Sequence, residues 1–306
     1  MKNNLYIILL TLSVIGVSCR KEEVTVFPDY SKNWLVVEDN PNDATIHANY
    51  QFYKETGIPV FIKDTIGSQA RVDVFGRNFT YYEVLSLTYS LGGLVAGAQP
   101  SVYSFTYCNK ADVPAALSFL KTEIIAGLPK TIHVPSILLV GTMNSNGFGY
   151  AFKGFNTIVI SQISMIPSMN ATVKAQYKGA ILRAMLTNAV NDAKYASILD
   201  KFAAASRKFV TVSDAYYMNT YYLSTRVVGL PTGVTPTLQA IGFIGAEPTN
   251  PYSTPATPSM DAGLYLEAML GRTDAEFRQL YGSNAVIMLK YGYIRQILTD
   301  LGFPNP

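Results

Sequence analysis

The chain has 306 residues, 49% hydrophobic and 15% charged, with a formal net charge of +3. That is enough apolar material for one large core or two small ones, and the cations are scattered, without the basic cluster that a nucleic-acid face requires, so nucleic acid is excluded as a partner. Apart from Cys19 the only cysteine is Cys108, which has no disulfide partner and reads as a buried, inert thiol.

In chain order, Lys2 precedes an apolar run from Leu5 to Val17 that leads into Val14-Ile15-Gly16-Val17-Ser18-Cys19 and then the charged Arg20-Lys21-Glu22-Glu23. A spanning helix needs about 20 apolar residues. This run is shorter and ends in charges, so it reads as a signal peptide over residues 1–18 that is removed. The stretch resembles the lipobox of bacterial lipoproteins: Ser18 and Cys19 match, Val17 is tolerated, and Gly16 stands where leucine is commonest. The resemblance implies a diacylglyceryl group on Cys19, two or more acyl chains being enough for stable membrane anchoring, followed by a tether over 19–30. Lys21-Glu22-Glu23 resembles the lysine-plus-acidic signal that sends some Gram-negative lipoproteins to the outer face of the outer membrane. The plainer readings are an ordinary secretory peptide and a solvated tether.

From residue 31 a single domain is expected, sheet-rich over 31–165 and helical over 166–306. Trp34-Leu35-Val36-Val37 has a strand's composition, and Ala44 to Thr56 reads as a helix ended by Gly57-Ile58-Pro59. Strands are predicted at Pro59–Ile62, Ala70–Val74, Phe79–Leu85, Val102–Tyr107 and Ile132–Val140. Between the last two, Asp112 is the expected N-cap of a helix whose apolar positions run from Ala115 to Ile125 and which Gly127 and Pro129 end. Gly147–Ala151 and Thr157–Ile160 look like hairpin arms.

Helices dominate the second half. Tyr177, Ile181, Leu182, Met185, Leu186, Ala189 and Val190 recur at spacings of three and four, which predicts a buried or half-buried helix from Ala171 to about Tyr195. A second helix covers Ala196 to Ala205. A loop over 229–259 holds Pro231, Pro236, Pro248, Pro251, Pro255 and Pro258, and loops this long are usually functional or disordered. Asp261 to Leu270 follows, then a helix opened by Thr273 with Glu276 three residues on, a capping box, and a last helix from about Asn284 to Leu301. A sheet region followed by helices argues for an α+β fold.

The chemistry is marked by what is missing. The two histidines, His47 and His133, stand in unrelated segments and give no zinc-ligand spacing; each reads as structural. There is no Gly-x-Ser-x-Gly elbow, phosphate loop or dinucleotide fingerprint, and no cofactor is expected. Asp261, Glu267, Asp274 and Glu276 crowd one stretch and could work as paired carboxylates, although helix capping and solvated faces account for them as well.

The order of segments resembles a family of zinc-binding metallopeptidase lipoproteins associated with outer-membrane nutrient import, in which a TonB-dependent transporter pairs with a substrate-binding lipoprotein. The matching pieces are Trp34-Leu35, Tyr53 to Ile58, the strands up to Ile160, Gly242-Phe243-Ile244, and Asp261 to Leu270 with Asp274-Ala275-Glu276-Phe277 and the helix to Phe303. The resemblance implies a zincin-like, metallopeptidase-like domain whose long helix carries His-Glu-x-x-His. Here the corresponding positions are Arg183, Ala184 and Thr187, and the later acidic ligand falls on Tyr265, or on Glu267 with a shift of two residues. A permanent guanidinium repels a metal cation, and alanine has no group to activate a metal-bound water.

Three readings follow. The first is a catalytically inactive surface lipoprotein that serves as a binding or accessory component of an import complex, with a TonB-dependent transporter and its substrate-binding lipoprotein as partners. The second is a glycan- or peptide-binding lipoprotein unrelated to peptidases, suggested by Tyr216-Tyr217 and Tyr221-Tyr222 among 21 tyrosines. The third is a hydrolase that uses acids near Asp261 and Glu267.

Overall fold

A computed structural model describes residues 32–87, 102–145, 149–210, 216–217, 227–247 and 250–304. The expected signal peptide, Cys19 and tether, Gly147-Phe148, and Tyr221-Tyr222 lie outside the described residues. All described secondary structure belongs to the unit Trp34–Pro306, and the architecture is α+β, strand-rich before helix-rich.

Helix α1 (Ala44–Thr56) starts where the Asp43 carboxylate accepts the backbone N–H groups of Thr45 and Ile46. It stops at Gly57, whose φ of 72° suits glycine and lets its N–H bond to Tyr53 O. The strands are β1 (Val60–Phe61), β2 (Thr65–Val72), β3 (Asn78–Val84), β4 (Val102–Tyr107), β5 (Ile137–Ser145), β6 (Ala151–Lys153) and β7 (Ile158–Ile160). Among the described residues, β2 and β3 form a separate antiparallel ribbon, and the other five share a sheet ordered β1-β5-β7-β6, with β4 also paired to β5. Strands β1 and β7 run parallel to β5, and β6 is the antiparallel edge.

Strand β5 is the centre of the sheet, with Ile137, Leu138, Leu139 and Val140 all fully buried. Alternation sends Ile137 and Leu139 to the face covered by α2 (Val113–Phe119) and α3 (Ala171–Val190), and Leu138 and Val140 to the face shared with Leu85, Phe152 and Val159. Helix α3 is buried at every position from Gly179 to Leu186, as expected of a stretch that is apolar all round but for Arg183. One side lies on the sheet. Leu186 and Val190 enter a second core with α4 (Ala196–Arg207), α5 (Pro258–Leu270), α6 (Asp274–Tyr281) and α7 (Ala285–Asp300). The Thr273–Glu276 capping box of α6 is complete, with both reciprocal bonds made. Among the described residues no helix is long and apolar enough to cross a membrane.

Four local expectations are corrected. Trp34-Leu35 is a turn rather than a strand: the indole packs against β2, so close that a Cβ at Gly67 would sit 2.1 Å from Trp34 Cε3. Strand β5 begins at Ile137, not Ile132, because Pro135 has no N–H to give a ladder and the residues before Ser136 include the exposed His133. Asp112 does not cap α2 with its side chain; Asn109 caps a short 3-10 turn that runs into it, and α2 then loosens into a wider turn before Gly127. The long proline-bearing loop is shorter than expected at its end, since Pro258 is the first residue of α5, where its missing N–H costs nothing and Thr257 caps the helix.

The approach of α3 to α5 rests on two glycines. A Cβ on Gly179 would lie 2.1 Å from Glu267 O, and one on Gly271 would lie 2.2 Å from Ala175 O. Gly179→Ala should therefore lower the unfolding free energy by about 3 kcal/mol, since backbone cannot yield as a side chain can. Gly292→Ala, on the open face of α7 with nothing within 4 Å, should instead raise it by up to about 1 kcal/mol through helix propensity. Urea melts of the two variants against the parent protein check both signs.

Candidate functional site

Four residues after Gly179, on the same face of α3, Arg183 reaches the helix it crosses. Its Nε donates to Glu267 Oε1 at 3.1 Å and its Nη2 to Ala151 O, at the start of the edge strand β6, at 2.6 Å. The Arg183 side chain is 4% exposed and that of Glu267 26%. Burial pushes the guanidinium down from its ordinary value while Glu267 pulls it back up; starting so high, it stays a cation at any physiological pH.

The structure separates the four positions that the sequence groups together. Ala184 is fully buried in the core between α3 and the sheet. Thr187 donates its hydroxyl to Arg183 O, a bond within its own helix. Tyr265 points away from Arg183: it is fully buried, its OH donates to Gly242 O at 2.9 Å, and its ring meets Phe202 edge-on. Two residues along a helix is more than half a turn, so Glu267, not Tyr265, faces α3.

A zinc ion does not fit these residues. Where the resemblance places the first ligand there is a guanidinium already bonded to the Glu267 carboxylate, and Ala184 and Thr187 add no nitrogen donor. His47 is on α1, bonded to Asp39 through Nδ1 at 2.8 Å, and the exposed His133 precedes β5. Among the described residues, no group of three or more His, Cys, Asp or Glu is placed to hold a metal ion.

The four carboxylates considered for acid–base work each have a different partner. Asp261 meets Lys290, Glu267 meets Arg183, Asp274 accepts from Arg278 Nε at 2.7 Å and from the Tyr291 hydroxyl, and Glu276 completes the capping box. None of these bonds joins two acids. Glu267 lines a cleft of about 270 Å³ between α3 and α5, walled by Tyr150, Gln176, Arg272 and Tyr281 over an apolar floor that includes Leu264. It combines one carboxylate, one guanidinium, an amide and two phenols, the mixture of polar tips and aromatic faces that recognises small polar molecules. A larger, shallower hollow of about 780 Å³ lies between α4 and α7, beside Tyr195, Arg295 and Asp300. There the phenol of Tyr195 already donates to Asp300, and no buried charge faces the space. The cleft beside Glu267 is the better-built site.

No protein-family model, curated protein or solved structure matches the chain.

Sequence reasoning missed Ala151, Gln176, Tyr150, Arg272 and Tyr281, which gather from β6, its approach, α3, the α5–α6 turn and the far end of α6. One signal was available: Gly271, at the end of α5, follows Glu267 by four residues, about one turn, and Arg272 comes directly after it.

Asp274 offers a test of the carboxylate assignments. Hydrogen bonds from Arg278, and next from Tyr291, hold its carboxyl below the usual range. A depressed folded-state value contributes stability above the unfolded value of about pH 4 and loses it as pH falls through the folded value. The stability gap between the parent protein and Asp274→Asn, from urea melts at pH 7 and pH 3, should therefore shrink at the lower pH.

Proposed function

We propose that this chain is a lipid-anchored, surface-facing lipoprotein that keeps a metallopeptidase-like, zincin-like scaffold without its metal chemistry and acts as a binding or accessory component of an outer-membrane nutrient-import system. The observation that carries this reading is the Arg183 guanidinium, bonded at once to Glu267 and to the edge-strand carbonyl of Ala151. A mixed sheet with an antiparallel edge strand, a buried helix across it and an acid from a later helix are the parts that a peptidase of this class would use. Here a side-chain cation stands among them in place of a metal cation. The carboxylate that would be a ligand is left with one edge on the cleft, where it can contact a bound molecule.

The second reading, a glycan- or peptide-binding lipoprotein with no peptidase ancestry, draws on the same cleft, with Tyr150 and Tyr281 as stacking faces and Glu267, Gln176 and Arg272 as hydrogen-bonding groups. Rebuilding the motif separates the two. In the triple variant Arg183→His, Ala184→Glu, Thr187→His, two imidazoles one helical turn apart face Glu267. One equivalent of zinc bound by the variant in calorimetry, with no heat from the parent protein, is the expected result. A triple variant that folds and takes up no zinc would remove the support for a peptidase scaffold and leave the second reading.

The anchoring is tested apart from the site. Expressed in a host that processes lipoproteins, the protein should fractionate with membranes and Cys19→Ala should move it to the soluble fraction; continued tight membrane association of the variant would count against lipid on Cys19.

A further inference from the structure

On the opposite side of α5 from the cleft, Asp261 and Lys290 are in contact with neither side chain exposed at all. Lys290 Nζ lies 2.5 Å from Asp261 Oδ2 and 3.2 Å from Ser206 Oγ. The phenol of Tyr217 donates to the same Asp261 Oδ2 at 3.1 Å. The rings of Phe202, Phe243 and Tyr265 surround Nζ, with centroids at 4.3, 4.5 and 5.2 Å. Asp261 Oδ1 is buried with no hydrogen-bond partner among the described residues.

We propose that Lys290 and Asp261 condense into an intramolecular amide, a covalent staple between α7 and α5. The Lys290 amine attacks Asp261 Cγ; the new bond is Nζ–Cγ and the broken one is Cγ–Oδ2. The acid reacts protonated on Oδ2 and the amine neutral; one amine proton passes from Nζ to the adjoining Oδ2, which leaves as water, while Ser206 Oγ holds Nζ and the Tyr217 hydroxyl donates to the departing oxygen, and the products are a secondary amide and one water. No oxidant, reductant or co-substrate is needed.

Three features favour the amide over an ion pair. The first is the hydrogen-bonding inventory. An ammonium has three protons to place and a carboxylate has about four acceptor sites, yet among the described residues only Asp261 Oδ2 and Ser206 Oγ accept from Nζ, and Oδ1 accepts from none. A secondary amide has one N–H, which Ser206 Oγ stands ready to accept, and one carbonyl; with Oδ2 gone as water that carbonyl is Oδ1, and a neutral carbonyl costs less to bury without a partner than one edge of a charged carboxylate. The second feature is desolvation. Burial pushes the Asp261 carboxyl up and the Lys290 ammonium down, each against the pull of its partner, and so toward the neutral acid and neutral amine that condense. The third is proximity. A carboxyl carbon one bond beyond an oxygen 2.5 Å from Nζ falls in the near-attack range of about 3–3.5 Å, and such fixed contacts act as very high effective concentrations. With water excluded, the reverse hydrolysis lacks its reactant.

The three rings also favour a cation, and an unreacted ion pair is the competing outcome. Tryptic digestion of the denatured full-length protein followed by tandem mass spectrometry decides between them. In the linear chain, cleavage gives residues 227–272, holding Asp261, and 279–290, ending at Lys290. The amide blocks cleavage after Lys290 and joins 227–272 to 279–295 in one branched peptide, lighter by one water than the sum of its parts. Recovery of that peptide, and its replacement by linear peptides in Asp261→Ala digested in the same way, is expected; because digestion follows denaturation, the control holds whether or not the variant folds. Recovery of the two linear peptides from the parent protein with no branched species would overturn the proposal.

Discussion

Where α3 crosses α5 the two backbones touch, since glycine at 179 and at 271 leaves no side chain to hold them apart, and this contact sets the reach of everything around it. At an ordinary helix separation of 8–10 Å, Arg183 would have to stretch further to meet Glu267 and would lose its line to Ala151. At close approach the guanidinium spans helix, helix and edge strand, and α5 is held in one register against α3. The cleft lies beside this crossing, bounded by residues from both helices, so its width is set by backbone contact rather than by adjustable side chains.

Helix α5 carries two acids, and the two are engaged differently. Glu267 pairs with a cation of α3 and keeps one edge on the cleft; Asp261 meets a lysine of α7 in full burial. Six residues apart on a helix, they face different neighbours. Buried pairs are weak sources of stability, because desolvation offsets much of the attraction, but removing one partner is costly. Their effect here is to fix α5 between two helices in one rotational setting, which an all-apolar helix packed among other apolar helices would specify less sharply.

Much of the architecture could be read locally. The α1 boundaries, the α6 capping box and the extents of β3 and β4 are encoded within a few residues of where they act, and the structure places them there. What could not be read depends on residues distant in the chain: Trp34 has a strand-former's composition but packs on Gly67, and the choice between Tyr265 and Glu267 turns on the rotation of α5 that Gly179 permits. The Lys290–Asp261 pair lies between these cases. Lys290 is three residues after Ile287 and four before Ile294, on the stripe that becomes core, and Asp261 sits four residues before the buried Tyr265. A charge at a core phase of each helix was visible in the pattern; that the two meet was not.

The short edge strand β6 has a wider consequence. All three of its residues are buried, and the carbonyl of Ala151 is taken by Arg183. An uncovered outer strand can recruit a passing chain through backbone hydrogen bonds, which are indifferent to sequence. Here the carbonyl that would begin such an addition is already occupied from within. A molecule meeting this end of the sheet would find that one backbone acceptor taken, and would be left more to the side chains of the cleft for its contacts.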